Sequence, residues 1–492
     1  MRIDTTCVAA IMTAALISSA GAKAMAAKSD LSPVAFRLSI NSELLAKKQA
    51  EIDITVPSSM RKFEAPKWYG GAPMFLKFVS NIAAIDNSGT LLQTKIVDNA
   101  VEVQGDSKAA SYTLHYTYNI PQSLSGEVDF ALPVLNENYA RFDNNLTFLE
   151  PQNAESYPAT LSISAPPSWR FKTGWGATKE IRVPRLSELI SGMIVMGHYD
   201  YSSARVGKTN VEFAIFGDYS HKLIRKEFCK VLKSQQEIAG DLPSRHLLVS
   251  FIPTSMEACK GTSLTNALNV NIPLKEKLSP FNFAVVGTAS HELFHQWNLR
   301  YAGPKSKEGI YLLTEGFTNY FSVAALVKAG LINEERFGRF LCRYRELLTE
   351  NPRYPGADYA TIQAGLEKDP NLFDLCYTKG PFVAMLLDLA IREDSGNNES
   401  LGSWFRTLCK KYGGSSGYEL KDLRDLLGTV SGKPNGQAVK TFDTAFLGGQ
   451  ALNLDQLFAQ LGVSCEGKGK SHLVEISPEA ATTRSKLFSA QD

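Results

Sequence analysis

The stretch ASHELFHQWNLR, residues 289–300, decides how the fold of this chain is interpreted. It contains His-Glu-x-x-His in a chain with only seven histidines. On a helix, His291 and His295 lie one turn apart, so both imidazoles project from one face and can chelate a single ion. Glu292 is rotated by about 100° from His291, which places its carboxylate beside the ion, where it can accept a proton from water. The pattern predicts a helical zinc site with an adjacent general base.

The alternative is a surface helix on which two histidines fall by chance, since three fixed residues in five positions recur in unrelated proteins. Leu293, Phe294 and Trp297 argue against a surface helix because they make the segment around the histidines strongly apolar. A buried imidazole needs a partner, and a metal ion supplies one. The apolar context therefore favours a metal site.

A catalytic zinc needs a third protein ligand and one open position. Glu315 follows His295 by twenty residues and lies in apolar sequence, where an unpaired carboxylate would be costly. Glu308 lies in the polar stretch GPKSKEG and is interpreted as a solvated loop residue. Glu315 is therefore the predicted third ligand. Asn319, one turn later, is either a residue that hydrogen-bonds this carboxylate or a polar residue on a helix face.

The rest of the chain divides into a β-rich and a helix-rich part. Period-two alternation in AFRLSI, AEIDITV and SYTLHYTY predicts an antiparallel β domain before about residue 200. Afterwards, HLLVSFIP predicts a buried strand, and helical spacing predicts helices over 223–240, 282–300, 315–330 and 380–394. The expected fold class is an α+β multidomain protein. The expected divisions are a signal peptide at 1–26, a β domain at 27–200, a catalytic domain at 201–395, a helical segment at 396–466 and a polar tail at 467–492.

The N-terminus has the pattern of a secretory signal peptide. A short apolar run over 7–20 is followed by small-x-small cleavage patterns between Ala22 and Ala26. The run is too short to span a bilayer, and no later segment stays apolar long enough. We therefore expect an exported protein, periplasmic or secreted, with no membrane span in the mature chain.

Cysteine count and charge narrow the possible partners. Removal of the signal peptide would take away Cys7 and leave six cysteines, which can form disulfides after export or remain as buried thiols. No Cys-x-x-Cys pair is present, which argues against a cysteine zinc site. A formal charge of +2 without a basic block predicts no nucleic-acid partner.

Three segments, HELFHQWN, TEGFTNYF and YTKGPFVAMLLDLAIRE, resemble the glycyl aminopeptidase family of zinc peptidases. More distantly they are similar to the aminopeptidase-N and leukotriene-A4-hydrolase types. The Trp297-Asn298 pair is a mark of the glycyl aminopeptidases, and the resemblance covers roughly residues 245–465. It implies a thermolysin-like zinc domain behind an N-terminal β domain, with helices following.

The resemblance also implies roles for two further residues. Tyr377 stands where these enzymes carry a tyrosine that hydrogen-bonds the oxyanion, a task that suits a neutral phenol. Glu257 stands where the related aminopeptidases hold the α-amine of the substrate. This chain has Thr254-Ser255-Met256-Glu257-Ala258 where the glycyl enzymes tend to have Gly-Gly-Leu-Glu-His, so the resemblance does not extend to a preference for glycine.

Two other features depart from the family pattern. The interval between His295 and Glu315 is shorter than in the glycyl enzymes, which predicts a trimmed loop near the cleft. Members of the family often end in a PDZ domain, but only about twenty-seven residues follow Cys465, so no PDZ domain is expected.

These observations predict a zinc metallopeptidase that acts on peptides, with about one zinc per chain. His291, His295 and Glu315 would hold the metal, Glu292 and Tyr377 would be catalytic, and an aminopeptidase is favoured. The alternatives are a zinc endopeptidase, a non-catalytic peptide-binding protein on the same scaffold, and an exported structural protein without metal.

Overall fold

The computed structural model describes residues 32–66, 75–105, 108–121, 132–256, 258–274, 283–306, 310–366, 368–414, 417–467, 469 and 473–488. The predicted signal peptide at 1–26 lies outside these residues, and so does Glu257. In the part of the chain that is described, no helix has the length and apolar character needed to cross a bilayer.

The first half of the chain consists of strands because apolar and polar residues alternate along it. Gln49–Pro57, for example, buries every second side chain over nine residues. The strands are β1 (Val34–Ser39), β2 (Gln49–Pro57), β3 (Lys62–Glu64), β4 (Val79–Asp86), β5 (Leu91–Val97), β6 (Ala100–Gln104), β7 (Ser111–Asn119), β8 (Val134–Leu135), β9 (Tyr139–Asp143), β10 (Glu150–Pro151), β11 (Ala159–Ser164), β12 (Arg170–Thr173), β13 (Glu180–Val183) and β14 (Met193–Gly197). Two short helices, α1 (Ser42–Ala46) and α2 (Leu186–Ile190), interrupt them.

These strands form two sheets. One has ten strands in the order β10-β3-β6-β5-β4-β7-β2-β1-β11-β13, and the other has four in the order β12-β14-β9-β8. The pairing is antiparallel as expected, except that β1 and β11 are parallel. A parallel pair needs a long crossover connection, and here all the strands from β2 to β10 lie between the two partners.

A third sheet lies beneath the helices of the second half. Its strands are β15 (Asp200–Val206), β16 (Thr209–Ile215), β17 (His246–Thr254), β18 (Lys260–Leu264) and β19 (Ala267–Pro273). Their order is β15-β16-β17-β19-β18, with β16, β17 and β19 parallel to one another and β18 antiparallel at the edge. The predicted buried strand HLLVSFIP corresponds to β17.

Helices account for most of the remaining chain. They are α3 (His221–Ala239), α4 (Phe283–Phe294), α5 (Tyr311–Thr314), α6 (Gly316–Lys328), α7 (Glu334–Glu350), α8 (Tyr359–Gly365), α9 (Pro370–Ser395), α10 (Leu401–Tyr412), α11 (Leu420–Val430), α12 (Gln437–Thr441), α13 (Leu454–Leu461) and α14 (Ala481–Phe488). A π-helical turn at Phe442–Phe446 follows α12, and α4 packs on β18 and β19 and against α3 and α6.

Two helix ends differ from the sequence expectation. The helix predicted over 282–300 ends at Phe294, and the chain then turns sharply, with Leu299 at φ +131°. The helix expected to begin at residue 380 begins ten residues earlier, at Pro370, with Asp369 as its N-cap. Proline is well tolerated in a first helical turn, so Pro370 begins the helix rather than preventing it.

The expected polar tail is packed against the domain core. It contains a strand, β21 (Leu473–Ile476), which pairs with β20 (Val463–Glu466), and it ends in α14. Arg484 of α14 is buried because its guanidinium donates to the carbonyls of Leu461 and Ser477 and pairs with Glu334. Leu487 joins the same hydrophobic core as α3 to α13, so the helical segment and the tail share the core of the catalytic part.

One disulfide joins Cys342 on α7 to Cys465 on β20. It fixes the two-stranded sheet β20–β21 to the helical part of the molecule. The other four cysteines that follow the predicted signal peptide are not joined in disulfides, and three of them are buried. The two outcomes that the sequence left open, bridges and buried thiols, therefore both occur.

A cross-strand ion pair in the β domain predicts a pH-dependent stability. His115 Nδ1 lies 2.7 Å from Asp53 Oδ1, and this bond raises the pKa of His115 above 6.5. Burial opposes ionisation of Asp53, but His115 and Arg37 outweigh it and lower its pKa below 3.8. The histidine contribution is lost as pH rises through the raised pKa, and the aspartate contribution is lost as pH falls through the lowered one.

His115→Gln should therefore lower the free energy of unfolding most between about pH 4 and pH 6.5. Because His115 is about one-third exposed, we expect a loss below about 1 kcal/mol. Urea unfolding of both proteins at an acidic and an alkaline pH within the folded range checks this. An equal difference at both pH values would contradict the assignment.

Candidate metal centre

His291, His295 and Glu315 converge on one point inside the catalytic part. His291 lies on α4, His295 lies just beyond its end, and Glu315 lies between α5 and α6. The two Nε2 atoms are 3.0 Å apart, and Glu315 Oε2 lies 3.2 Å from the first and 3.4 Å from the second. Ligand atoms at the corners of a tetrahedral zinc site lie about 3.3 Å apart when the bonds are 2.0–2.1 Å. The three donor atoms therefore have the spacing that zinc requires.

The protonation of the two imidazoles explains why these atoms need a cation. His295 Nδ1 lies 3.2 Å from the backbone oxygen of Asn298, which can only accept, so Nδ1 carries the proton. His291 Nδ1 lies 2.8 Å from Asn319 Oδ1, which is likewise an acceptor. In the neutral imidazoles both Nε2 atoms then present lone pairs toward the Glu315 carboxylate. Three electron-rich atoms with no proton between them need a positive charge among them, which a metal ion supplies and which only a proton on an Nε2 atom could replace.

The same two imidazoles determine the charge of Glu315. Burial disfavours its ionised form, but when no metal is bound a protonated His295 or His291 outweighs burial and lowers the pKa of Glu315 to about 2. Glu315 is therefore a carboxylate, the form that binds metal.

Glu292 lies beside the ligands in a different environment. It is fully buried, and neither carboxylate oxygen has a hydrogen-bond partner within the described residues. Burial raises the pKa of Glu292 to about 8, and the charge of Glu315 adds to this effect. Strand β18 passes directly over it, since a Cβ on Gly261 would stand 2.3 Å from Glu292 Cγ. The glycine provides the space that this carboxylate occupies.

Asn319 hydrogen-bonds a metal ligand, but that ligand is His291 and not Glu315, which one of the two sequence alternatives named. Its side-chain oxygen meets the imidazole of His291 and not the Glu315 carboxylate. Its Nδ2 donates to the backbone oxygen of Tyr377 at 3.4 Å. That carbonyl is available because Pro381, four residues later on α9, has no N–H to donate to it. The proline thus frees an acceptor that holds Asn319 in place beside His291.

Tyr377 lies on α9 with its ring over the metal ligands. Its ring is stacked on that of His291 with centroids 6.2 Å apart, and its hydroxyl hydrogen-bonds Glu315. Burial and the Glu315 charge raise the pKa of Tyr377 well above its ordinary value, so the phenol keeps its proton. A protonated phenol beside the ligand set can donate a hydrogen bond to an oxygen that gains negative charge.

The lysine and the glycine of the Tyr-x-Lys-Gly sequence at Tyr377 each have a packing explanation. Lys379 is buried and donates to the carbonyl of Gly448 at 2.7 Å, and burial lowers its pKa to about 8. Gly380 meets Gly316, where an added Cβ on either would stand 2.5 Å from the Cα of the other. Backbones this close let α9 bring Tyr377 to Glu315, the residue before Gly316.

Gly380→Ala should therefore separate α9 from α6. The new methyl group would also stand 3.0 Å from the carbonyl oxygen of Leu312, so both neighbours are backbone and cannot rotate away. We expect a loss of about 1–3 kcal/mol in the free energy of unfolding, as for other overpacked cores, together with weaker zinc binding. Gly402→Ala on α10 is the matched control, because its Cβ would meet nothing closer than 3.4 Å. Equal stability of both variants would refute the close-packing argument.

The glycines at 261, 316 and 380 are functional positions that the sequence reasoning did not find. Each acts through a neighbour that is distant in sequence, so only a comparison of many related sequences could have revealed them. Glu257 lies outside the described residues, although Met256 and Ala258 on either side are described. The three side chains that converge on the metal centre are the same three that the sequence predicts as ligands.

Comparisons with known proteins agree with this geometry. The family model of the Peptidase M61 N-terminal domain matches residues 37–189, and that of the M61 glycyl aminopeptidase matches residues 284–365. No curated protein sequence matches the chain significantly.

Solved structures share the fold at low sequence identity. An aminopeptidase N family protein from Idiomarina loihiensis is similar at a TM-score of 0.75 and 19% identity, covering 90% of this chain and 82% of its own. A mutant M1 zinc metallopeptidase from Deinococcus radiodurans, bound to the substrate Tyr-Ser-Ala, is similar at a TM-score of 0.55 and 16% identity, and the match covers 86% of this chain and 95% of that one. Native yeast LTA4 hydrolase is similar at a TM-score of 0.55 and 13% identity, and the match covers 87% of this chain and 70% of the hydrolase. The expected α+β multidomain fold is confirmed.

Proposed function

Because this chain belongs to the M61 glycyl aminopeptidase family and is a zinc peptidase, we propose that it is an exported aminopeptidase that removes N-terminal residues from peptides. The observation that carries the proposal is the convergence of three lone-pair donors beside a buried carboxylate that no described residue hydrogen-bonds. A structural metal site would not need Glu292, whose burial is costly.

Zinc, when bound, lowers the pKa of water and polarises a substrate carbonyl. We assign the metal to His291, His295 and Glu315. Glu292 takes a proton from the attacking water and passes it to the leaving amine, for which its unpaired carboxylate and raised pKa are suited. Tyr377 turns its hydroxyl from Glu315 to the oxyanion and donates a hydrogen bond to it.

We assign to Glu257 the binding of the substrate α-amine, which would direct cleavage to the N-terminal residue. Glu257 follows β17 and stands four residues before Gly261, whose backbone packs on Glu292. A carboxylate can pair with the free α-amine of a substrate, which is the role that the resemblance to the aminopeptidases implies for Glu257. The family description as glycyl aminopeptidase supports the same direction of cleavage.

Export is supported by two independent features. The N-terminal sequence has an apolar run followed by small residues at Ala22 and Ala24, as signal peptides do. A disulfide such as Cys342–Cys465 is typical of proteins in oxidising compartments, which supports export.

The test uses Tyr-Ser-Ala, the peptide bound by the Deinococcus enzyme, and its N-acetylated form. We expect release of the N-terminal residue from the free peptide, no cleavage of the acetylated one, and loss of activity with a chelator that zinc restores. Equal cleavage of both peptides, or internal cuts in longer ones, would identify an endopeptidase. Chelator-insensitive cleavage, or none of either peptide, would overturn the proposal.

A further inference from the structure

Asn298 contacts the surroundings of two metal ligands at once. Its side chain is completely buried, three residues beyond His295. Its Nδ2 donates to the backbone oxygens of Leu313 and Thr314, both at 3.2 Å, and to Thr318 Oγ1 at 3.0 Å. The two carbonyl oxygens can only accept, so the orientation of the amide is determined. These residues lie on either side of Glu315.

The backbone of Asn298 contacts the other ligand, His295. Its carbonyl oxygen accepts from His295 Nδ1 at 3.2 Å, which directs the lone pair of His295 Nε2 toward the metal. Leu299, the next residue, has φ +131°, a strained conformation for a residue with a side chain. The turn continues through a hydrogen bond from the Leu299 N–H to the carbonyl of Ala302 at 3.1 Å. This turn ends α4 early and points the Asn298 carbonyl back at His295.

We infer that Asn298 is a positioning residue that holds His295 through its backbone carbonyl and Glu315 through its side-chain amide. These hydrogen bonds of Asn298 involve none of the three metal-binding atoms. Alanine would keep the carbonyl but remove the anchor on both sides of Glu315, so the third ligand would lose its fixed position. The inference rests on the proposed zinc function, since it concerns residues that would bind zinc.

The neighbouring Gln296 provides a matched control. Its buried Nε2 also donates three hydrogen bonds, to Ser263 Oγ at 2.8 Å and to the carbonyls of Leu264 and Ala267 at 2.9 and 3.1 Å. These partners lie on β18 and at the start of β19, and none of them adjoins a metal ligand in sequence. Gln296→Ala therefore removes as many side-chain hydrogen bonds from the residue next to His295, but none of the lost partners adjoins a metal ligand.

The experiment measures zinc affinity of the full chain by competition with a chelator. Asn298→Ala should weaken zinc binding by about 10–100-fold, the usual effect of losing a residue that orients a ligand. Gln296→Ala should change the affinity by less than about threefold while lowering the melting temperature to a similar extent. With Co²⁺ in place of zinc, the visible absorption bands should change in the first variant and not in the second.

Several outcomes would overturn the inference. The first is wild-type zinc affinity and an unchanged Co²⁺ spectrum in folded Asn298→Ala. If that variant does not fold, Asn298→Ser is measured instead, because serine keeps one hydroxyl donor and should show a smaller loss of zinc affinity. Wild-type zinc affinity in Asn298→Ser would also overturn the inference. A wild-type chain that binds zinc but hydrolyses no peptide would overturn the proposed function alone, whereas one that binds no zinc would overturn both.

Discussion

Glu292→Gln is expected to keep about one zinc per chain and to lower kcat/KM for peptides by about 10²–10⁴-fold. The amide has the shape of the carboxyl group but cannot take a proton from water. Metal analysis of the preparation measures the zinc content, and steady-state kinetics on the same preparation measure kcat/KM. Glu227→Gln, at a buried glutamate on α3 that is not part of the metal cluster, is the control and should keep wild-type kinetics. Activity retained in a zinc-replete Glu292→Gln protein would remove Glu292 from the mechanism.

The same variant should not lower stability in the zinc-free protein. The pKa of Glu292 is raised from 4.5 to about 8, so its carboxylate opposes folding increasingly as pH rises from 4.5 toward 8. Glutamine removes that cost, and the difference in free energy of unfolding should grow in favour of the variant over this range. A residue that is retained for function although it lowers stability should show this result, a loss of activity without a loss of stability.

Glu315→Gln is expected to weaken zinc binding by roughly 10²–10³-fold, if the 10–16 kcal/mol typical of a zinc site is shared among four ligands. Peptide hydrolysis should fall with zinc occupancy. Competition with a chelator measures the affinity, and activity at saturating zinc separates lost binding from lost chemistry. Unchanged zinc affinity would exclude Glu315 as a ligand.

In the zinc-free protein this substitution should have the opposite sign to Glu292→Gln. The pKa of Glu315 is lowered from 4.5 to about 2, so its carboxylate contributes stability that is present above pH 4.5 and lost as pH falls through 2. Glu315→Gln should therefore destabilise the zinc-free chain at neutral pH. The two buried glutamates are neighbours, and each variant serves as the control for the other.

The ligand set could be predicted from sequence because it depends on local chemistry. His291 and His295 share a helical face by their spacing alone, and Glu315 was distinguished by the apolar residues around it. The partner of Asn319 could not be predicted in the same way. Whether an amide one turn after Glu315 meets Glu315 or His291 depends on the angle between α4 and α6, which no local pattern encodes.

Helix ends show the same limit. The apolar spacing through Trp297 continues the helical pattern, but the chain leaves the helix after Phe294. Tertiary contacts override local propensity here, because the turn gives Asn298 its hydrogen bonds to residues fifteen to twenty positions away. The parallel pairing of β1 with β11 likewise depends on strands far apart in sequence.

The Cys342–Cys465 bridge changes what a cut in the chain would do. The cysteines are 123 positions apart, and the intervening chain contains α9 with Tyr377. Gly396–Asn398, just after α9, is an exposed turn and so a natural site for attack by a foreign protease. A nick there would leave two fragments in one covalent molecule, with the residues around the metal still joined to the helices that support them. The nicked protein would remain one covalent species until a reductant released its two fragments.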